Sequence, residues 1–256
     1  MVSGTLLREL YARMLQTRLV DECAWRLHTQ GRIHFMARAY GHEAAQVGSA
    51  ICIEKGTDFT LPYYRDLGVV LTIGMTPYEV FRSYLQTNET PTSSATHTTD
   101  QEQCHTNTSQ HWGYHKHNIV TGPAPVATQI LHAAGIAFAG KLRKAPVVTV
   151  AYCGDEATNE PDFHEGLRFA ALHQLPAVFI YEHDCNQDER SQQAPIAGPS
   201  LPAGLAHQRI DGSDIIAVYT TMSTAMQRTR EGNGPLLLEM CCPTNPSLNN
   251  DPLRCC

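Results

Sequence analysis

The chain has 256 residues and a mass of 28.3 kDa, with 42% hydrophobic and 17% charged side chains; this is enough apolar material for one large α/β core and excludes a disordered chain. A formal net charge of −6 and a pI near 6.1 give no basic stripe to neutralise a phosphate backbone, so no nucleic-acid partner is expected. The longer apolar runs, such as residues 145–152 and 175–181, fall far short of the roughly 20 residues that span a bilayer.

The first residues, Met-Val-Ser-Gly, lead into an amphipathic helix rather than the charged, apolar and small-residue regions of an export signal. A cytoplasmic protein with no membrane contact is therefore expected. Nine cysteines, at 23, 52, 104, 153, 185, 241, 242, 255 and 256, include no Cys-x-x-Cys pair. That spacing predicts reduced thiols, with neither a zinc site nor a disulfide framework.

In chain order, the first predicted element is a helix over 5–29, where Leu7, Leu10, Tyr11, Met14, Leu15 and Leu19 recur at the three-and-four spacing of one buried face. Thr76-Pro77-Tyr78-Glu79 reads as a helix start: Thr caps, Pro suits the first turn, and Glu bonds back to the cap. That helix should run to about Leu85. Residues 88–110 are Thr, Ser, Gln, Asn and His with little to bury, which predicts a mobile surface excursion.

Val126 to Lys141 is rich in Ala and Ile and predicts a buried helix. The second half alternates: a strand within 145–152, a helix over 163–173, a strand over 175–181, a helix over 213–230 ended by Gly232 or Gly234, and a strand over 236–242. Apolar strands separated by helices imply an α/β fold with a parallel sheet and helices on both faces. No linker divides residues 1–256, so a single domain is expected.

In such sheets, ligands sit beyond the carboxyl ends of the strands. One strand runs into Cys153-Gly154-Asp155-Glu156-Ala157-Thr158 and the next into Tyr181-Glu182-His183-Asp184-Cys185-Asn186. Two neighbouring strand ends thus carry oxygen ligands that suit one hard cation. Asp and Asn also crowd strand ends because they make turns, so these residues alone leave both readings open.

Gly41-His42-Glu43-Ala44-Ala45-Gln46-Val47-Gly48, Tyr63-Tyr64-Arg65-Asp66-Leu67-Gly68, Gly74-Met75-Thr76-Pro77, His111-Trp112-Gly113, Pro125-Val126-Ala127-Thr128-Gln129, Gly154-Asp155 and Asp162-Phe163-His164-Glu165-Gly166-Leu167 follow one another in the chain. Together, from about residue 8 to 240, they resemble the alpha subunit of 2-oxo acid dehydrogenases, most closely the bacterial branched-chain type. The resemblance implies a thiamine-diphosphate-binding fold and oxidative decarboxylation of a 2-oxo acid. It implies a beta subunit as partner, two alpha and two beta chains together, and a lipoyl-bearing transacylase that takes the acyl group.

The resemblance also assigns residues. Magnesium falls to Asp155, Asp184 and the backbone carbonyl of Asn186. The cofactor falls to Tyr63, Tyr64, Arg65, Val126, Gly154, Asp155, Glu156, Ala157 and Asp184, with Arg65 presenting its planar fork to phosphate. The alternative for Arg65 is a salt bridge to Asp66 or another acid. His111 matches a histidine at the active-site mouth, and Pro125, Thr128 and Gln129 resemble a potassium loop, with Pro123 where a Ser is usual. His164 is expected to bond at a helix start.

Several residues depart from the family pattern. Glu156 stands where the second Gly of Gly-Asp-Gly lets bare backbone approach the diphosphate, and its charge would repel that group. Cys185 replaces a Gly, the segment 187–202 reads as shortened, and Pro246-Ser247-Leu248-Asn249-Asn250 stands where the family has a loop with a His, so the family's C-terminal region is expected to be absent. An impaired or truncated homologue serving as an interaction subunit is the alternative expectation. A metal hydrolase built on His105, His111, His115 and His117 is a second one, without a settled zinc spacing.

Overall fold

The computed structural model describes residues 2–85, 111–184, 201–242 and Leu253. The expected excursion at 88–110, His105, Cys185, Asn186, most of the 187–202 segment and residues 246–250 lie outside these residues. Five strands form one sheet in the order β1-β2-β3-β5-β4, and every neighbouring pair is parallel. They are β1 (Phe59–Leu61), β2 (Thr149–Cys153), β3 (Ala177–Asp184), β4 (Ala206–Asp211) and β5 (Leu236–Cys242).

Side chains alternate across this sheet as the strand period requires. Val150, Tyr152, Val178, Ile180, Leu238 and Met240 face one core, shared with α2 (Glu43–Ala50), α3 (Leu67–Ile73), α4 (Pro77–Leu85), α7 (Ile215–Arg230) and part of α1 (Gly4–Thr29). Ala151, Cys153, Phe179, Tyr181 and Leu237 face a second core, closed by α5 (Thr128–Leu142) and α6 (Pro161–Leu172). The expected parallel sheet covered on both faces is thus what the chain forms. At Gly166 an added Cβ would stand 2.8 Å from Ile130 Cγ2 and 3.1 Å from the α5 backbone, so glycine is what lets α6 lie against α5.

Helix α1 departs from its expected face. Leu10 and Met14 are buried, but Tyr11, Leu15 and Leu19 are exposed, and the stripe continues inward through Thr17, Arg18, Asp21 and Ala24. The physical reason is that Arg18 and Asp21 are neutralised by Glu43 and Arg38, so polar residues could take the inner face. Three short elements, β1, α2 and α3, and the edge strand β4 carried no periodic signal. β4 is half-exposed along its length, as an edge strand can be.

The start of α4 follows the expected capping box. Glu79 Oε2 accepts from the Thr76 backbone N–H at 2.8 Å, and Thr76 Oγ1 accepts from the Glu79 N–H at 3.2 Å. Cys241 corrects the thiol expectation: it is disulfide-bonded, whereas Cys23, Cys52, Cys153 and Cys242 are free. Successive residues of β5 point to opposite faces, so Cys242 is sealed in the core while Cys241 is only half-buried. Linear spacing does not reveal that difference.

The Glu79 carboxyl is held down from 4.5 to about 2 by the Thr76 backbone N–H, the Tyr114 hydroxyl and the Thr76 hydroxyl. A carboxylate with a lowered folded-state pKa stabilises the fold above its unfolded value and loses that contribution as pH falls through the folded one. Glu79→Gln should therefore remove part of the acid sensitivity between pH 4.5 and about 2. Melting curves at several pH values check this; a wild-type-minus-variant difference that is constant over that window would refute it.

Candidate functional site

Register builds the site. β2 ends at Cys153, opposite Tyr181, while β3 runs on through Glu182, His183 and Asp184 beside β5. The turn after β2, a 3-10 segment over Asp155–Asn159, therefore packs beside the last residues of β3. The Tyr181 hydroxyl donates to Asp155 Oδ1 at 3.3 Å, and the Asp184 backbone N–H also points at the Asp155 carboxylate.

The Asp155 pKa is raised, first by loss of water around the carboxyl; the charge of His183, the Tyr181 hydroxyl and the Asp184 N–H act against the rise, and the Asp184 carboxylate adds to it. Two carboxylates close enough to repel are the donor set that a divalent cation relieves. Asp155 is exposed at the rim and Asp184 is buried.

A cavity of about 230 Å³ opens here. Asp155, Glu156, Glu182 and Asp184 stand on its acidic side; Tyr63, Tyr64, Arg65, His42 and Gly154 complete the wall. A smaller cavity of about 50 Å³ adjoins it, with His111, Val126, Gln129 and Ala157 in its lining. Tyr63, Tyr64, Gly154 and Glu156 belong to both linings, so the expected cofactor residues do converge on one region. Asn186 falls outside the described residues.

Arg65 is aimed by a chain of partly buried contacts. Its Nη1 donates to the Arg38 carbonyl at 2.8 Å. Arg38 is in turn fixed by Asp21, which accepts from Arg38 Nε at 2.9 Å and from the Ala39 N–H at 2.8 Å. Burial alone would lower the Arg65 pKa, yet Tyr63, Tyr64 and Glu182 more than offset it and the value is raised. Among the described residues no direct ion pair joins Arg65 to Asp66, although the guanidinium acts against the rise of the Asp66 pKa; that carboxylate accepts from the Tyr63 N–H at 2.8 Å and, more weakly, from Gln46 Nε2 at 3.4 Å.

Other assignments shift in detail. Gly154 makes room for the Tyr63 ring, since a Cβ there would lie 3.1 Å from Tyr63 Cε2. Ala157 is 1% exposed and packs in the second core. His111 Nδ1 lies 3.1 Å from the Gly122 carbonyl, which fixes its ring at the mouth of the smaller cavity. Thr128 Oγ1 donates to Asp162 and Gln129 Nε2 to the Tyr152 carbonyl; both contacts use donor groups and fix the two side chains of the expected potassium loop. His164 Nε2 meets the Thr158 carbonyl at 2.8 Å, the anchoring at the helix start that its position suggested.

Reasoning from sequence missed the floor of the larger cavity. Glu182 Oε2 lies 2.7 Å from His42 Nδ1 and accepts from Gln46 Nε2 and the Tyr63 hydroxyl, each at 3.2 Å. His42 and Gln46 were present in the quoted Gly41-to-Gly48 motif, but about 140 residues separate them from Glu182, and no periodicity joins the two. Among the described residues, the His, Cys, Asp and Glu side chains grouped closely enough for a metal are His42, Glu182 and Cys242. His111, His115 and His117 do not belong to that group, so the hydrolase alternative is not favoured. Burial, Glu182 and other nearby acids push the Cys242 thiol well up, so it stays protonated and is a poor ligand.

Residues 11–243 match the dehydrogenase E1 component family. The chain belongs to that family. It is 36% identical over 236 residues to the 2-oxoisovalerate dehydrogenase subunit alpha of Bacillus subtilis, covering 90% of this chain and 68% of that protein. The 3-methyl-2-oxobutanoate dehydrogenase subunit alpha of Mycobacterium tuberculosis is 36% identical over 240 residues, 91% of this chain and 59% of the relative. The pyruvate dehydrogenase E1 component subunit alpha of Bacillus subtilis is 30% identical over 241 residues, 91% and 58% of the two chains. The chain thus spans little more than half to two thirds of these relatives. Among its described residues no helix is long and apolar enough to cross a membrane.

Asp21→Ala removes the acceptor of the buried Ala39 N–H and the partner of Arg38. A loss of about 1–3 kcal/mol is expected for the orphaned donor. Urea unfolding measures it, and a variant as stable as the wild type would show that the 38–41 segment is held by other contacts.

Proposed function

We propose that this chain is the alpha component of a thiamine-diphosphate-dependent 2-oxo acid dehydrogenase, acting on a 2-oxo acid of the branched-chain class. The observation that carries this reading is the meeting of Asp155 and Asp184 at the carboxyl edge of the sheet, beside a cavity walled by Tyr64 and Arg65. A hard-oxygen donor pair fits Mg²⁺, and a guanidinium beside it fits a diphosphate. The named relatives support the substrate class.

In this reading Asp155, Asp184 and the Asn186 carbonyl hold the cation. Arg65 and Tyr64 hold the diphosphate, and Val126 offers backbone atoms to the aminopyrimidine from the wall of the adjoining cavity. When bound, thiamine diphosphate supplies the electron sink that lets a 2-oxo acid lose carbon dioxide. The chain's own part is to anchor, orient and exclude water. His111, tied at Nδ1 to the Gly122 carbonyl, presents its other ring face at the mouth, where substrate enters. Glu156 works against the diphosphate because its carboxylate lines both cavities. A monovalent cation beside Pro125 would use the oxygens of Thr128 and Gln129, whose present hydrogen bonds engage only their donor groups.

A beta subunit, in a two-plus-two assembly, would complete the cofactor site, and a lipoyl-bearing transacylase would receive the acyl group. Calorimetric titration of the purified chain with Mg²⁺ and thiamine diphosphate, alone and with a beta subunit, tests the proposal. Binding in at least one condition is expected, and binding in neither would sink it. Asp155→Ala should abolish that binding with little change in melting temperature, because the side chain stands at the rim. Glu156→Gly should tighten it several-fold by removing a like charge; unchanged affinity would reject the repulsion argument.

A further inference from the structure

The pair at the floor of the larger cavity has no role in the reading above. His42 precedes α2 and Glu182 lies on β3; their side chains are 4% and 0% exposed and meet at 2.7 Å. Gln46 and Tyr63 donate to the same Glu182 oxygen. Two polar atoms then remain sealed from solvent with no hydrogen-bond partner among the described residues: His42 Nε2 and Glu182 Oε1. The two nitrogens of an imidazole diverge, so a ring tied at Nδ1 cannot also satisfy Nε2 on the same carboxylate. His42 lines the cavity, and Nε2 is the ring nitrogen that its contact with Glu182 leaves unengaged.

Charge gives that direction a use. Asp155, Glu156, Glu182 and Asp184 face the cavity against the single guanidinium of Arg65. A divalent cation on Asp155 and Asp184 offsets those two charges. Glu156 and Glu182 still outnumber Arg65, so a diphosphate meets a net negative wall unless a second cationic donor is present. In its charged form histidine donates from both nitrogens. One proton goes to Glu182 and the other is available to an anionic oxygen.

We propose that His42 is a second anion-binding residue of this cavity: held at Nδ1 by Glu182, it donates from Nε2 to a diphosphate oxygen and counters the repulsion of Glu156. Glu182 is then a positioning residue, itself kept in place by Gln46 and Tyr63. The inference rests on the reading of the cavity as a diphosphate site and adds a residue that sequence motifs did not assign to it.

The test uses two probes with Mg²⁺ on the purified full chain, alone and together with a beta subunit: inorganic diphosphate, which carries no ring, and thiamine diphosphate. His42→Asn can still donate to Glu182 but cannot reach the cavity. It should bind both probes roughly tenfold or more weakly, the effect of losing a hydrogen bond to a charged group, and Glu182→Gln should act in the same direction. A second readout does not depend on the variants folding: the Nε2 nitrogen resonance of His42 in the wild type should shift when Mg²⁺ and inorganic diphosphate are added. Variants that bind both probes as tightly as the wild type, or a wild-type resonance that does not move, overturn the inference and leave the cofactor reading standing. A wild type that binds inorganic diphosphate through His42 but not thiamine diphosphate supports the inference and ends the cofactor reading. Binding of neither probe ends both.

Discussion

A carboxylate taken out of water must be hydrogen-bonded, and Glu182 sets that condition for the whole carboxyl edge of the sheet. Its partners come from two places: His42 and Gln46 at the start of α2, and Tyr63 after β1. Satisfying one buried oxygen thus fixes how α2 and the β1 loop sit over the strand ends. Gln46 extends the constraint by donating to the Arg65 carbonyl at 3.1 Å and accepting from the Gly68 N–H at 2.9 Å. The Tyr64-Arg65 segment is placed from below by this polar floor as well as by its own loop.

A second layer of buried charge works from the other side. Arg18 pairs with Glu43 and lies 4.1 Å over the Tyr40 ring, and Glu43 Oε2 accepts from the Gly41 N–H at 2.9 Å. Asp21 holds Arg38 and Ala39. These pairs add little net stability, because desolvation offsets most of the Coulomb attraction. What they supply is position: the 38–42 segment has one place to go, and both the carbonyl that Arg65 uses and the His42 ring are carried on it.

The resulting cavity is unusually acidic for an anion site. Removing the second glycine of the family's Gly-Asp-Gly pattern brings Glu156 into both cavity walls, while Asp155 and Asp184 already repel one another. Such a wall makes anion binding conditional on countercharge, such as a metal between the aspartates beside the Arg65 guanidinium. Buried acids also raise the pKa values of their neighbours: Asp66 and Tyr63 are pushed up by burial first and by Glu182 next. The electrostatics of the site are therefore shared among its residues.

Much of the architecture was written in local pattern. Apolar runs bounded by turn residues marked β2, β3 and β5, the Thr76–Glu79 box marked α4, and Asp155 stood at a strand end where ligands gather. These features depend on neighbours three or four residues away, or on side chains alternating along one strand, so a linear reading reaches them. Colinear motifs added the family and the identity of the expected cofactor residues. What tertiary structure alone decided was the meeting of distant groups: Glu182 with His42 across 140 residues, polar residues on the inner face of α1, Gly154 as space for Tyr63, and β4 as a half-exposed edge. Burial is a property of the assembled chain, and a charged side chain is tolerated inside only where another part of the fold brings its partner. No local spacing encodes that partner.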